Sequence, residues 1–204
     1  MAIAKSPYGP WKKVGKDGQV LDDEDSTKWN YKSRCGVANP AFLAFKGKYY
    51  LYFKTIGKDG LKYGLATATN LEGPYEISDK PVTSNKGTLE DGTVFYYKDH
   101  IYLLTTDNHG HNTGISGGGT LWKSKDGITF DLKDATVGYD ILYKYYKEYD
   151  PGKVVKIYGG DPKLERPKVL MIDEKPSYLY GPGGWNFFGG ERTVSHVLKI
   201  NLEE

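Results

Sequence analysis

The stretch EDGTVFYYKDHIYLL, residues 90–104, has two counterparts in the chain: ANPAFLAFKGKYYLY at 38–52 and ERPKVLMIDEKPSYLY at 165–180. A shift of 52 lays Phe42 on Val94, Phe45 on Tyr97, Tyr50 on Tyr102 and Leu51 on Leu103. Each copy is two apolar, aromatic and β-branched runs separated by a short polar break, KGK, KDH or DEKP. Such a break between strand-like runs predicts a hairpin turn. Pro176 cannot donate to a ladder, so it fits a turn or a strand edge.

A second pattern alternates with the first. IAKSPYGPWKKV (3–14), LATATNLEGPYEIS (65–78) and LWKSKDGITFDLK (121–133) each run from a small-polar strand into a glycine turn. Gly9, Gly73 or Gly127 marks the turn, and Trp11, Tyr75 or Phe130 follows it. Two hairpins per unit, repeating near every 50 residues, predict an all-β fold made of propeller blades. The expected layout is a single β-propeller domain over 1–204: an outer half-blade at 1–14, then blades at 39–78, 90–133 and 165–202. About three four-stranded blades fall short of the roughly four to eight that close a ring. A partial propeller, completed by a homodimer, is therefore expected, because open strand edges invite pairing. Two stretches break the pattern. Residues 26–38 read as a long loop after the acidic run DDED, and GYDILYKYYKEYD (138–150) suits a short amphipathic helix or an extra hairpin.

The bulk properties exclude several classes. With 38% hydrophobic and 26% charged residues the chain can build a core. A net charge of +2 with dispersed basic residues lacks the clustered positive face of a nucleic-acid partner. No run reaches about 18 apolar residues, so no membrane span is expected. One cysteine, Cys35, leaves no internal disulfide and is read as an idle thiol. The start MAIAKSPYGPWKK has no apolar core of a signal peptide.

Inner strands of propeller blades begin at the central channel, so the residues opening each copy should converge there. These are Asn39-Pro40, Glu90-Asp91 and Glu165-Arg166-Pro167. Glu90 and Glu165 share one slot, and Asn39, Asp91 and Arg166 share the next. The apolar residues are scaffold; the opening residues differ because each brings a different group to one cleft. Facing carboxylates suit cleavage of a glycosidic bond, provided one stays protonated. The same residues can also serve only as backbone acceptors and structural ion pairs. The loop TTDNHGHNTGISGGGTLW (105–122) should lie over the same face, offering Asp107, His109 and His111 to a polar ligand. His-x-His can bind zinc only with further ligands that spacing does not name, so no metal is assigned. The glycines match neither a dinucleotide fingerprint nor a P-loop, and no cofactor is implied. Rings hemmed by glycines at 181–196, with Trp185 first, suit stacking on a sugar. His196 reads as a core histidine.

In order along the chain, SPYGPWKKV, NPAFLAFKGKYYLYFKT, GLATATNLEGPYEI, EDGTVFYYKDHIYLLTTD, SKDGITF and ERPKVL resemble the five-bladed β-propeller glycoside hydrolases of the supergroup around families 43, 32 and 117. The resemblance implies hydrolysis of a plant or algal oligosaccharide by a carboxylate pair tuned by a third acid. Carried onto this sequence, it implies Glu165 as general acid, Asp91 as the tuning carboxylate with Glu90 beside it, and Arg166 on a sugar hydroxyl or a partner carboxylate; Asn39, from the shared slot, is read as a further substrate contact. It also implies a base, an Asp on a preceding blade; Asp17, Asp22, Asp23 and Asp25 do not match it. A secreted or periplasmic location would accompany the family, and a structural ion in the channel is left open. Two other readings fit the same residues: a non-catalytic carbohydrate-binding propeller and a protein-interaction scaffold.

Overall fold

A computed structural model of the protein describes residues 1–58, 60–145, 163–184 and 193–202. The described strands form antiparallel sheets in a row, each a meander of neighbours in sequence. A two-stranded piece, β1 (Ala2–Ile3) and β2 (Lys12–Lys13), comes first. The first four-stranded sheet is β3 (Ala38–Phe45), β4 (Lys48–Gly57), β5 (Gly60–Ala68) and β6 (Glu76–Ile77). The second is β7 (Glu90–Tyr97), β8 (His100–Asp107), β9 (Gly118–Ser124) and β10 (Thr136–Tyr139). In the third, β11 (Lys163–Leu164) and β12 (Lys168–Ile172) lie end to end along one edge of β13 (Lys175–Gly184), and β14 (Thr193–Lys199) lies along the other. This is an all-β partial propeller; the third sheet is three strands wide among the described residues.

The repeat is reproduced in register as well as in sequence. Phe42 pairs with Leu51 as Val94 pairs with Leu103. All three polar breaks are two-residue turns, closed by the pairs Phe45–Lys48, Tyr97–His100 and Ile172–Lys175. Their central residues all have positive φ: Lys46 and Gly47 at 49° and 73°, Lys98 and Asp99 at 43° and 60°, Asp173 and Glu174 at 48° and 60°. These are the mirror-image turns whose twist matches that of the strands. Pro176 sits where the β12–β13 register shifts, a position that asks no donor of it.

Side chains alternate across a strand, so each sheet can feed two interfaces. On β8, Ile101 and Leu103 face the first sheet, where they pack with Tyr52, Tyr63, Trp122 and Phe130. Leu104, one residue on, faces the third sheet with Tyr139, Leu142, Leu164 and Leu179. The middle sheet is thus covered on both sides, which is why the segments VFYY of β7 and IYLL of β8 carry apolar or aromatic residues at consecutive positions. Trp122 is wholly buried and its indole N–H donates to Thr105 Oγ1 at 2.9 Å. Tyr52 reaches across from the first sheet to donate to the Gly127 carbonyl at 2.8 Å. A Cβ at Gly127, φ 73°, would lie 2.6 Å from that hydroxyl, so SKDG must keep its glycine. Asp126 organises the same turn, accepting from Ser124 Oγ and from the Ile128 and Thr129 N–H groups.

Among the described residues, the outer faces of the two end sheets carry exposed apolar side chains. On the third sheet Leu170, Ile172, Tyr180 and Val197 are exposed, and Tyr180 pairs directly with Val197. Beyond the first sheet, a groove of about 700 Å³ is lined by Ile3, Trp11, Phe42, Leu51 and Phe53.

Some expectations shift. The fourth strand of the middle blade is β10 at 136–139, beyond the expected end at 133. The reason is Phe130, which is drawn wholly into the core and pairs in parallel with Thr83 of the inter-sheet segment instead of with β9. Of the helix or hairpin at 138–150, Thr136–Tyr139 completes the sheet and Leu142–Lys144 is one 3-10 turn, while 146–150 lie outside the described residues. Trp29 is structural: its indole donates to the Ser78 carbonyl at 3.1 Å. Cys35 is free and half-buried.

Candidate functional site

One backbone device is used three times. At the start of each inner strand one extra residue bulges from the ladder. Ala38 pairs with Lys54 but Ala41 with Tyr52; Glu90 pairs with Thr106 but Thr93 with Leu104. Leu164 pairs with Gly183 and Lys168 with Tyr180, again one residue too many. The bulges hold Asn39, Asp91 and Arg166 at φ 49°, 58° and 44°. Bulges re-aim side chains, and these three converge.

The Asn39 amide donates to Asp91 Oδ1. Arg166 Nε lies 4.0 Å from the same oxygen, and Arg166 Nη1 lies 3.9 Å from Glu165 Oε2. One guanidinium therefore faces two carboxylates, both buried, at 7% exposure for Asp91 and 8% for Glu165. Glu90, beside them, is held by Lys54 Nζ at 3.2 Å. Tyr63, wholly buried, accepts the Gly92 N–H at its hydroxyl and donates to the Asn39 carbonyl at 3.3 Å. A Cβ on Gly92 would sit 2.6 Å from that hydroxyl. Tyr139 donates to the Leu164 carbonyl at 2.9 Å, fixing the residue before Glu165.

Burial pushes the Asp91 carboxyl above its ordinary range; Arg166 and Lys54 pull it down, while Glu90 raises it further. Glu165 is also raised, by burial first and by the Asp91 charge second, against Arg166 and Lys163. Two buried carboxylates, one raised by the charge of the other, cannot both ionise cheaply, so the arrangement suits one protonated donor beside one anion.

The second group of candidates does not join this cluster. Asp107 is wholly buried and its carboxylate is consumed by its own loop. It accepts the N–H groups of His111, Asn112 and Thr113, and the Thr113 hydroxyl, at 2.9 to 3.1 Å. In this arrangement the carboxylate shapes its own loop. His109 and His111 are exposed with ring centroids 5.6 Å apart, and Asn112 ties the loop to Lys86 and Thr88. Among the described residues no three His, Cys, Asp or Glu are grouped to hold a metal ion. Trp185 lies outside the described residues. His196 is buried, and burial lowers its imidazole below the ordinary value.

Sequence reading passed over Lys54, Tyr63 and Lys163. Lys54 was within reach: two residues from Tyr52, it shares the face that β4 turns to the middle sheet. The Tyr63 link has no local signal, because its partners are 24 and 29 residues away.

No family model and no curated protein matches the chain. Solved structures do match. A family 117 glycoside hydrolase from the marine bacterium Zobellia galactanivorans superposes with a TM-score of 0.62 at 18% identity, over 96% of this chain and 49% of its own. A thermostable family-43 glycoside hydrolase gives 0.63 at 17%, over 92% and 56%. An endo-1,4-beta-xylanase from Bacteroides thetaiotaomicron gives 0.58 at 16%, over 95% and 60%. The fold is that of the propeller glycoside hydrolases, and the chain spans about half the length of these structures.

Proposed function

We propose that this chain carries the proton-donating half of a glycoside hydrolase site acting on a plant or algal oligosaccharide. The observation that supports it is the convergence of Asp91 and Glu165, both buried, on Arg166 at the channel ends of adjacent inner strands. In this reading Glu165 gives its proton to the glycosidic oxygen as the C–O bond breaks. Asp91 remains anionic and tunes that proton, and the exposed Arg166 guanidinium holds a sugar hydroxyl. The second carboxylate, which activates water or attacks the anomeric carbon, comes from outside the described cluster. A second copy of this chain is one source for it. The apolar faces at both ends of the row of sheets, Leu170 and Val197 at one and Phe42 at the other, support such a homodimer.

The test is reducing-end release from a panel of plant and algal oligosaccharides, with wild type beside Glu165→Gln, and with the mass in solution measured in parallel. Release by the wild type and its loss in the variant support the reading. No release by a correctly folded wild type moves the assignment to a carbohydrate-binding propeller, and a strictly monomeric mass at high concentration removes the homodimer.

A further inference from the structure

We infer that Asn39 is a positioning residue that holds Asp91 ionised and thereby leaves the shared proton on Glu165. The inference rests on the site reading above and deepens it. The Arg166 guanidinium cannot make this choice, since it lies 4.0 Å from Asp91 and 3.9 Å from Glu165, although the Arg166 backbone N–H also bonds to Asp91 and acts in the same direction as Asn39. Lys54, held on Glu90 at 3.2 Å, favours ionised Asp91 only through space. The Asn39 amide, by contrast, donates to Asp91 Oδ1 alone. An ionised carboxylate only accepts hydrogen bonds, so an N–H donor fixed on it favours its charged form.

Asn39 is fixed from its own backbone. Its carbonyl accepts from Tyr63 at 3.3 Å, and the same phenol receives the N–H of Gly92, the residue after Asp91. Donor and acceptor bulges are thus bolted to one buried hydroxyl, and the amide cannot drift to Glu165. The φ of 49° at Asn39 aims the side chain, and Asn tolerates that region better than most residues.

The remaining charges do not overturn the bias. Asp91 is faced by Glu90 on β7, Lys54 on β4, Tyr63 on β5, Tyr139 on β10, and Glu165 and Arg166 between β11 and β12. Lys168 on β12 reaches the Gly92 carbonyl at 3.5 Å. Lys163 on β11 acts the other way, as a through-space charge favouring ionised Glu165, whereas the amide is in direct contact with Asp91.

The experiment is a side-chain carboxyl carbon titration by NMR on the full chain, without substrate, for wild type, Asn39→Gly and Asn39→Asp. Glycine keeps the left-handed backbone and removes the donor; aspartate keeps the shape and replaces the donor by an acceptor. In wild type Asp91 should ionise before Glu165. In Asn39→Gly the ratio of ionised to protonated Asp91 at a given pH should fall roughly tenfold, with Glu165 ionising earlier. Asn39→Asp should delay Asp91 further. Glu165 ionising first in wild type overturns the inference, as do unchanged curves in whichever variant keeps the wild-type amide spectrum. Because no substrate is present, a failure of the sugar panel leaves this result standing, and the reverse holds too.

Discussion

Each inner hairpin carries left-handed residues at both of its ends, and the two ends behave differently. At the outer end Lys46-Gly47, Lys98-Asp99 and Asp173-Glu174 form the same turn with unrelated side chains. At the channel end Asn39, Asp91 and Arg166 form the same bulge, but each has its own partner in a neighbouring sheet. The backbone is repeated three times at both ends. Only at the channel end does side-chain identity carry consequences, because only there are the groups buried together and coupled.

The sharpest way to break that contrast is at Glu165. Glu165→Gln should lower glycosidic turnover by about 10²- to 10⁴-fold, the usual worth of a general acid, as read from initial rates on a cleaved oligosaccharide. Next comes Gly92→Ala, which drives a methyl into the Tyr63 hydroxyl. A cost of about 1–3 kcal/mol is expected from urea unfolding, as for other overpacked sites.

Glu165→Gln should also stabilise the fold while it slows turnover. A raised native carboxyl binds its proton more tightly folded than unfolded. Its stabilising contribution is therefore full below the unfolded value near 4.3 and is lost as pH rises through the native value. Glutamine has no such loss. Its melting temperature should match wild type in acid and exceed it at neutral pH by roughly 2–4 °C. Equal melting temperatures at both pH values would mean that Glu165 is not held above its ordinary range. The smallest effect belongs to the outer end: Asp173-Glu174→Asn-Gly should stabilise by about 0.5–1 kcal/mol, since Asn-Gly adopts this turn at less cost. A comparable loss instead would show that the outer turns are not interchangeable.

Much of this was legible in the sequence, for a physical reason. Strand alternation, two-residue turns and a repeat of 52 are local or periodic, so they survive without coordinates. The shared slot of Asn39, Asp91 and Arg166 was legible for the same reason. What could not be read depends on contacts between sheets. Phe130 looks like a strand residue, and only the packed core shows that it leaves the ladder. Asp107 looks like an exposed polar group over the channel, yet three consecutive N–H groups turn it inward. Nor does spacing indicate that Asn39 points at Asp91 or that Tyr63 spans the two bulges.

The Tyr63 hydroxyl has a last consequence, for how the molecule opens. The Gly92 amide proton is bonded to a phenol that belongs to the adjacent sheet and is closed to solvent. Solvent can replace that proton once the bond between the two sheets is broken. Exchange at this single amide should therefore be among the slowest in the two sheets, and it reports any motion that parts the Tyr63 phenol from the Gly92 bulge.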